Sequence, residues 1–316
     1  MTGDAGAVAA LDCGTHSTRL LIVDGAWTTL ERQMRITRLG EGVDATRKLS
    51  TDAVARTLAV LEDYRRLMDR HGVVRARLVA TSAVRDALNA EDFLDGAARA
   101  TGVVPELLSG LEEGRLSFRG ATASLTAGPD TPATVLVVDI GGGSTELVAG
   151  PAPGGATAAD RDVSAVSLDI GCVRVTERYL GHDPPRRDER ARATTAVAGE
   201  IERARRALPG VGTDSLLVGL AGTVSTLAAL EQRLAAYDRD KIHHAVLHRH
   251  QVEQWLDRLA GDDRTTRAER PGMVEGRVDV IVGGVLILAE VMAGFGLADC
   301  LVSEDDILDG LVASQR

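Results

Sequence analysis

Residues 134–150 read TVLVVDIGGGSTELVAG, and this stretch decides the fold. It opens with an apolar, β-branched run, the composition of a buried strand. Asp139 stands where that strand ends. Three glycines follow, then Ser144, Thr145 and Glu146, then a second apolar run. The pattern predicts a hairpin whose tip is nearly bare backbone. Glycines there let successive N–H groups converge on an anion, a nest for phosphate. Gly141, Gly142, Gly143, Ser144 and Thr145 would form the nest, flanked by Asp139 and Glu146. Carboxylates beside phosphate donors suit a metal–phosphate complex, because Mg²⁺ takes both kinds of oxygen. Read alone, three glycines favour an ordinary hairpin with no ligand.

The same pattern occurs earlier. Residues 7–24 read AVAALDCGTHSTRLLIVD, and Asp12, Gly14, Ser17, Thr18 and Leu20 match Asp139, Gly141, Ser144, Thr145 and Leu147, 127 residues on. Two copies of one strand–turn–strand unit indicate an internal duplication. Two related lobes with facing hairpins would set two phosphate loops across one cleft. Arg19 stands where Glu146 stands in the second copy, so the loops differ chemically. A third Gly-Thr-x-Ser-Thr turn, at Gly222 and Thr223, opens a predicted helix whose N–H groups could hold an anion. Ordinary helix capping by Thr223 explains it at least as well.

Composition bounds the partners. A chain of 316 residues makes one large domain or two of about 150. The net charge is −10, with only two lysines, Lys48 and Lys241, a balance that repels nucleic acid. No apolar run approaches the ~20 residues that span a bilayer, so no membrane partner is expected. The first residues lack a basic segment followed by an apolar core, and the three cysteines, Cys13, Cys172 and Cys300, are scattered. Both features point to a reducing cytoplasm.

The remaining chain supplies the candidate chemistry. Residues 27–39 read as a third strand and 50–71 as an amphipathic helix. A strand at 77–81 feeds TSAVRDALN, where Arg85 either lines a cleft or pairs with Asp86 or Glu91 on a solvated helix. After a strand at 103–108, Ser109 and Glu112 form a capping box, which leaves Glu113 free. In isolation Glu113 reads as a surface glutamate favoured by the helix dipole; beside a strand end it also fits a general base. A turn-rich linker spans 125–134. Residues 151–160 read as a mobile loop, 163–169 and 215–220 as strands, and 187–208 as a charged helix. His243, His244, His248 and His250 read as a polar segment at a helix start. Arg277 and Asp279, a structural pair or cleft residues, precede an apolar helix at 279–292. A last strand at 297–302 leads to Ser303-x-x-Asp306, read as the cap of the final helix.

Taken together, the motifs DCGTHSTRL, TSAVRDALN, SGLEEG, DIGGGSTEL, GCVRVTE, AGTVSTLAAL, PGMVEGRVDVIVGG and VSEDDILDG resemble the exopolyphosphatase/guanosine pentaphosphate phosphatase family (Ppx/GppA). The resemblance covers nearly the whole chain and is similar to the family's short, two-lobed members. It implies an α/β, actin-like ATPase (ribonuclease-H-like) fold with an interdomain cleft. The expected lobes are 1–125 and 126–302, with a C-terminal helix, 303–316, packing back on the first. It also implies that Glu113 activates water, that Asp139 and Glu146 organise Mg²⁺ (or Mn²⁺), and that the amides of Gly141 to Thr145 hold terminal phosphates. Asp12, Gly14, Thr15, His16, Ser17 and Arg19 correspond to the first phosphate loop, with His16 where the family usually has asparagine. Arg85 resembles a substrate-binding arginine. The implied activity is release of orthophosphate from inorganic polyphosphate. The alternatives are the 5′ phosphate of guanosine pentaphosphate or a non-catalytic sensor of either ligand. A homodimer is left open.

Overall fold

The computed structural model describes residues 6–126, 128, 131–152 and 163–315. The expected mobile loop therefore lies, from residue 153 on, outside the described residues.

The first sheet begins as an antiparallel meander of β1 (Val8–Cys13), β2 (Ser17–Val23) and β3 (Thr29–Ile36). β4 (Arg75–Ala80) lies parallel to β1, and β5 (Pro105–Leu107) parallel to β4, giving the order β3-β2-β1-β4-β5. The second sheet repeats the plan. β6 (Thr134–Ile140), β7 (Thr145–Pro151) and β8 (Ser164–Leu168) form the meander, with β9 (Leu216–Leu220) parallel to β6. β10 (Val246–His248) and β11 (Asp299–Val302) extend it to β10-β11-β9-β6-β7-β8, β11 running parallel to β9. Read from the meander outward, 3-2-1-4-5 matches 8-7-6-9-11, so the duplication seen in the motif extends to the topology. The molecule is two ribonuclease-H-like lobes of the actin-like fold. Among the described residues no helix is long and apolar enough to cross a membrane.

The helices of the first half are α1 (Val43–Thr46), α2 (Thr51–Arg70), α3 (Ser82–Arg85), α4 (Ala90–Thr101) and α5 (Gly110–Ala123). The second half carries α6 (Cys172–Tyr179), α7 (Arg187–Ala207), α8 (Ala221–Glu231), α9 (Arg239–Ile242), α10 (Arg249–Gly261), α11 (Arg264–Ala268), α12 (Ile281–Phe295) and α13 (Ile307–Ala313). The central strands are buried on both faces, because successive strand residues point to opposite sides. Ala9, Leu11 and Cys13 of β1 pack with Leu61, Tyr64 and Phe93 beneath α2 and α4. Val8 and Ala10 face Ile307, Leu311 and Val312 of α13. In the second sheet Leu136 and Val138 join the core of α7, α8 and α12, while Val135 and Val137 face Ala121 of α5.

The two halves thus exchange helices. α5 precedes the second sheet in the chain and packs on it; α13 follows that sheet and packs on the first. The pair cross with almost no separation. A Cβ on Gly120 would lie 1.9 Å from the Asp306 carbonyl oxygen, and one on Gly310 would lie 2.1 Å from that of Leu116. Only glycine permits that approach. The N-termini of both helices point at the cleft.

Two local readings change. Ser303 does not cap the last helix: Asp306 is its N-cap, accepting from Leu308 N at 2.9 Å, with Asp309 bonding back to Asp306 N. Residues 246–248, read within a polar segment, form the short edge strand β10. His243 and His244 stack on each other with centroids 3.8 Å apart.

Candidate active site in the cleft

The two hairpin tips have the same geometry. Asp12 pairs in register with Arg19, and Asp139 with Glu146. Gly14 N donates to Ser17 O, and Gly141 N to Ser144 O, each at 3.0 Å. The tips meet: a Cβ on Gly142 would lie 2.9 Å from Thr15 Cβ, and one on Gly143 2.5 Å from Ser82 Oγ. The carbonyls of Gly141 and Gly142 accept from the N–H groups of Cys172, Val173 and Arg174 at the start of α6. Those carbonyls are committed to the protein, and the Gly141 amide, expected among the phosphate donors, is taken by Ser144 O, so the loop's offer to a ligand is its remaining amides.

A cavity of about 60 Å³ lies between the tips. Of the residues expected in the site, Asp12, Gly14, Thr15, His16, Ser17, Arg19, Glu113, Asp139, Gly141, Gly142, Gly143, Ser144 and Gly222 line it. Four do not. Arg85 stands behind Glu113, donating to its carboxylate at 2.7 Å and to Leu108 O at 2.8 Å. Its partner is therefore neither Asp86 nor Glu91. Glu146 is buried one layer below and accepts from Ser167 Oγ at 2.8 Å. The Thr145 hydroxyl donates to Ile170 O at 2.6 Å. Thr223 is buried with its hydroxyl toward Gly284 of α12, and α8 has no side-chain cap.

Glu113 reaches the cavity because of its place in α5. The Ser109–Glu112 capping box forms as predicted and fixes the first turn. Glu113 then projects inward, next to Asp12 and Asp139. Burial raises its pKa to about 7, against the pull of Arg85, with the two aspartates pushing the same way as burial. Burial likewise raises Glu146 well above the usual range, helped by the charges of Glu113 and Asp139. Asp139 is raised by burial and opposed by Arg19; it accepts from Ser117 Oγ at 2.7 Å. Asp12 is raised by burial too, and its Oδ1 has no hydrogen-bond partner among the described residues.

The two arginines facing the cavity differ. Arg19 donates to Asp12 at 2.6 Å and pairs with Asp306, the N-cap of α13. Arg277 is 8% exposed, and among the described residues no carboxylate lies within ion-pair distance of it. Burial lowers its pKa, and the Arg19 charge adds to that. Its guanidinium lies so close over Gly222 that a Cβ there would sit 1.7 Å from Cζ. Arg277, Thr81, Ser82, Ile140 and Ala221 complete the lining. The signal for Arg277 was its position at the head of the apolar helix segment, which fits a structural pair equally well.

A model of the Ppx/GppA phosphatase family matches residues 21–315. Exopolyphosphatase 2 of Mycobacterium tuberculosis is 42% identical over 324 residues, covering 97% of this chain and 98% of that protein. The crystal structure of an exopolyphosphatase-like protein superposes with a TM-score of 0.91 at 36% identity, covering 98% of each chain. That of an exopolyphosphatase from Cytophaga hutchinsonii gives 0.86 at 25% identity, over 98% of this chain and 97% of that one.

Proposed function

The chain belongs to the Ppx/GppA phosphatase family, and we propose that it is an exopolyphosphatase, releasing orthophosphate from the end of inorganic polyphosphate. The observation that carries this reading is a convergence in one cavity. Glu113, two Gly/Ser hairpin tips and Arg277 without a carboxylate partner face the same space.

Phosphoanhydride hydrolysis asks a protein for positioning and charge stabilisation more than for covalent chemistry. Glu113 orients the attacking water and takes its proton, a role for which a pKa near the working pH is best. Arg85 holds that carboxylate in place. The loop amides and Arg277 bind the terminal phosphates and meet the charge that develops on them. Among the described residues no three acidic side chains form a ready-made metal cage; what favours a divalent cation is that burial opposes the charge of Asp12 and Asp139, which face the cavity, and that Asp12 Oδ1 lacks a partner among the described residues. Asp139, with Asp12 beside it, would hold Mg²⁺ or Mn²⁺ together with oxygens of the substrate phosphates, and Glu146, outside the cavity lining, would back them from the layer below. Bound there, the ion would neutralise phosphate charge and stabilise the leaving oxygen.

A second reading is favoured by a neighbouring pocket of about 450 Å³, which shares Arg19, Gly222 and Arg277 with the cavity. Its walls include Ala229, Leu234, Met273, Val274 and one aromatic ring, Tyr237. A base could lie there, which suits guanosine pentaphosphate. Phosphate release by the purified protein from long polyphosphate, guanosine pentaphosphate and ATP, each with and without chelator, separates the readings. Release chiefly from polyphosphate supports the first. Preference for guanosine pentaphosphate supports the second, and binding without release would favour a sensor.

A further inference from the structure

His16 stands at the tip of the first loop, yet its side chain is committed across the cleft. Its Nε2 lies 2.8 Å from the carbonyl oxygen of Gly276, in the second half of the chain. A carbonyl only accepts, so Nε2 carries the proton and donates. Burial and the charge of Arg277 hold the ring's pKa down at about 4, so the imidazole is neutral.

Gly276 is gripped elsewhere as well. A Cβ on it would lie 2.6 Å from Ile36 Cγ1, so the turn rests directly on the end of β3. Beyond it, Asp279 accepts from Arg38 at 3.0 Å. The grip is itself one unit, because the His16 carbonyl accepts from the N–H groups of Thr37 and Arg38. Ile36, His16 and Arg38, all from the first lobe, thus hold residues 276–279 of the second. Within that short segment sits Arg277, the cleft arginine with no carboxylate partner.

We propose that His16 is a positioning residue for Arg277. Through its hydrogen bond to Gly276 O, the first lobe's phosphate loop sets where the second lobe's guanidinium stands. Arg277 then reaches a substrate phosphate only when the two lobes are closed on each other. The same loop that binds phosphate through its backbone thereby aligns the cation opposite. The inference rests on the phosphoanhydride-hydrolase reading above.

The test is a double-mutant cycle on His16→Ala and Arg277→Ala, with His16→Gln as the conservative variant whose side-chain N–H₂ can still donate. Two readouts are used: hydrolysis kinetics on polyphosphate, and calorimetric affinity for tripolyphosphate, which needs no turnover. His16→Ala should raise KM, and weaken tripolyphosphate binding, by about tenfold, the size of one buried hydrogen bond, with kcat changed less. His16→Gln should recover most of the loss. In the Arg277→Ala background His16→Ala should add less than about twofold. Additive effects, an unchanged KM and affinity in His16→Ala, or no recovery in His16→Gln would overturn the proposal. Melting temperatures identify a variant that fails by unfolding, and His16→Gln then carries the comparison. Tripolyphosphate binding without turnover by the wild type would remove the hydrolase reading and leave the His16–Arg277 coupling to be judged on affinity.

Discussion

Two arginines face the cavity, and their partners set what each can do. Arg19 lies between Asp12 and Asp306, so its charge is matched inside the protein. Arg277 has no such match among the described residues. Arg277→Ala should therefore raise KM for phosphate substrates ten- to a hundredfold with a small change in melting temperature, as about 1.5–3 kcal/mol for a charged hydrogen bond implies. Arg19→Ala should instead destabilise the protein, by about 3–5 kcal/mol, because it leaves two buried aspartates unpaired. Steady-state kinetics and thermal melts on the two variants, reversed in this pattern, would refute the division. Glu113 gives a paired prediction. Its carboxyl titrates near pH 7, raised chiefly by burial, so kcat/KM should climb as pH rises through 7 and then level. Glu113→Gln should lower kcat by about 10²–10⁴-fold. A raised folded-state pKa means the folded protein holds this proton more tightly than the unfolded chain. Its stabilising contribution is complete below about pH 4.5 and is lost as pH rises through about 7. Glu113→Gln should consequently melt higher than wild type at pH 8 and much the same at pH 4.5, which calorimetry at the two pH values checks. The freedom of Glu113 was legible in the sequence, because Ser109 visibly claims Glu112 for the cap. Its ion pair with Arg85 was not, because the partners sit on separate helices and the local acids Asp86 and Glu91 offered nearer candidates.

At the scale of elements, the hairpins were the most legible part of the fold. The Asp-x-Gly-x-x-Ser-Thr repeat maps onto identical registers in β1–β2 and β6–β7. Continuous apolar runs marked the central strands, since both faces of each sheet are covered. The three-residue β10 was not legible, because it is an edge strand with two exposed residues and three histidines nearby. The cap of α13 was placed three residues early, since Ser303-x-x-Asp306 has the spacing of a capping box. In the fold the Ser303 hydroxyl donates to Asp305 O, and Asp306 serves both α13 and Arg19. The return of α13 to the first sheet was implied by the family resemblance, but the transfer of α5 to the second sheet was not legible, because glycines 120 and 310 look like any helical glycines until the two backbones are seen to touch. That contact is testable. Gly120→Ala or Gly310→Ala would put a methyl onto a backbone oxygen, and neither helix can yield without moving Glu113 or Asp306. Each should cost at least about 1–3 kcal/mol of stability and activity with it. Gly199→Ala, in α7 with open space around it, should stabilise by about 0.5–1 kcal/mol and leave activity alone. Equal behaviour of the three variants in thermal melts would show that the crossing tolerates separation.

For the whole molecule, the decisive question is what keeps the lobes closed, since the loops form a site only when their tips meet. Besides the His16 contact, α6 bridges the cleft. Its first N–H groups carry the glycine loop of its own lobe. Its side chains reach the other lobe: Arg174 pairs with Asp86, Arg178 takes Asp44 with two nitrogens, and Glu177 accepts from Gly42 N at 3.1 Å. Arg174 is 7% exposed, so its pairing is shielded from salt as the outer Arg178–Asp44 pair is not. A facing pair of loops was readable from the duplication, but these pairings were not. With 26% of residues charged, the sequence offers too many equivalent partners. Arg174→Met keeps the length and apolar stem of the side chain while removing its charge. It leaves Asp86 without its main partner, at a cost of about 1–3 kcal/mol, less than for a fully buried pair. That energy is lost from the closed state alone, because Arg174 and Asp86 belong to different lobes. The population should shift toward open cleft, KM should rise by about tenfold, and solution scattering should give a larger radius of gyration that saturating tripolyphosphate restores. Raising salt should widen the wild-type cleft only slightly, through the exposed Arg178–Asp44 pair, and should affect Arg174→Met no more than wild type. An unchanged scattering profile and KM in Arg174→Met would mean that the glycine contacts at the loop tips hold the lobes together without the ionic bridge.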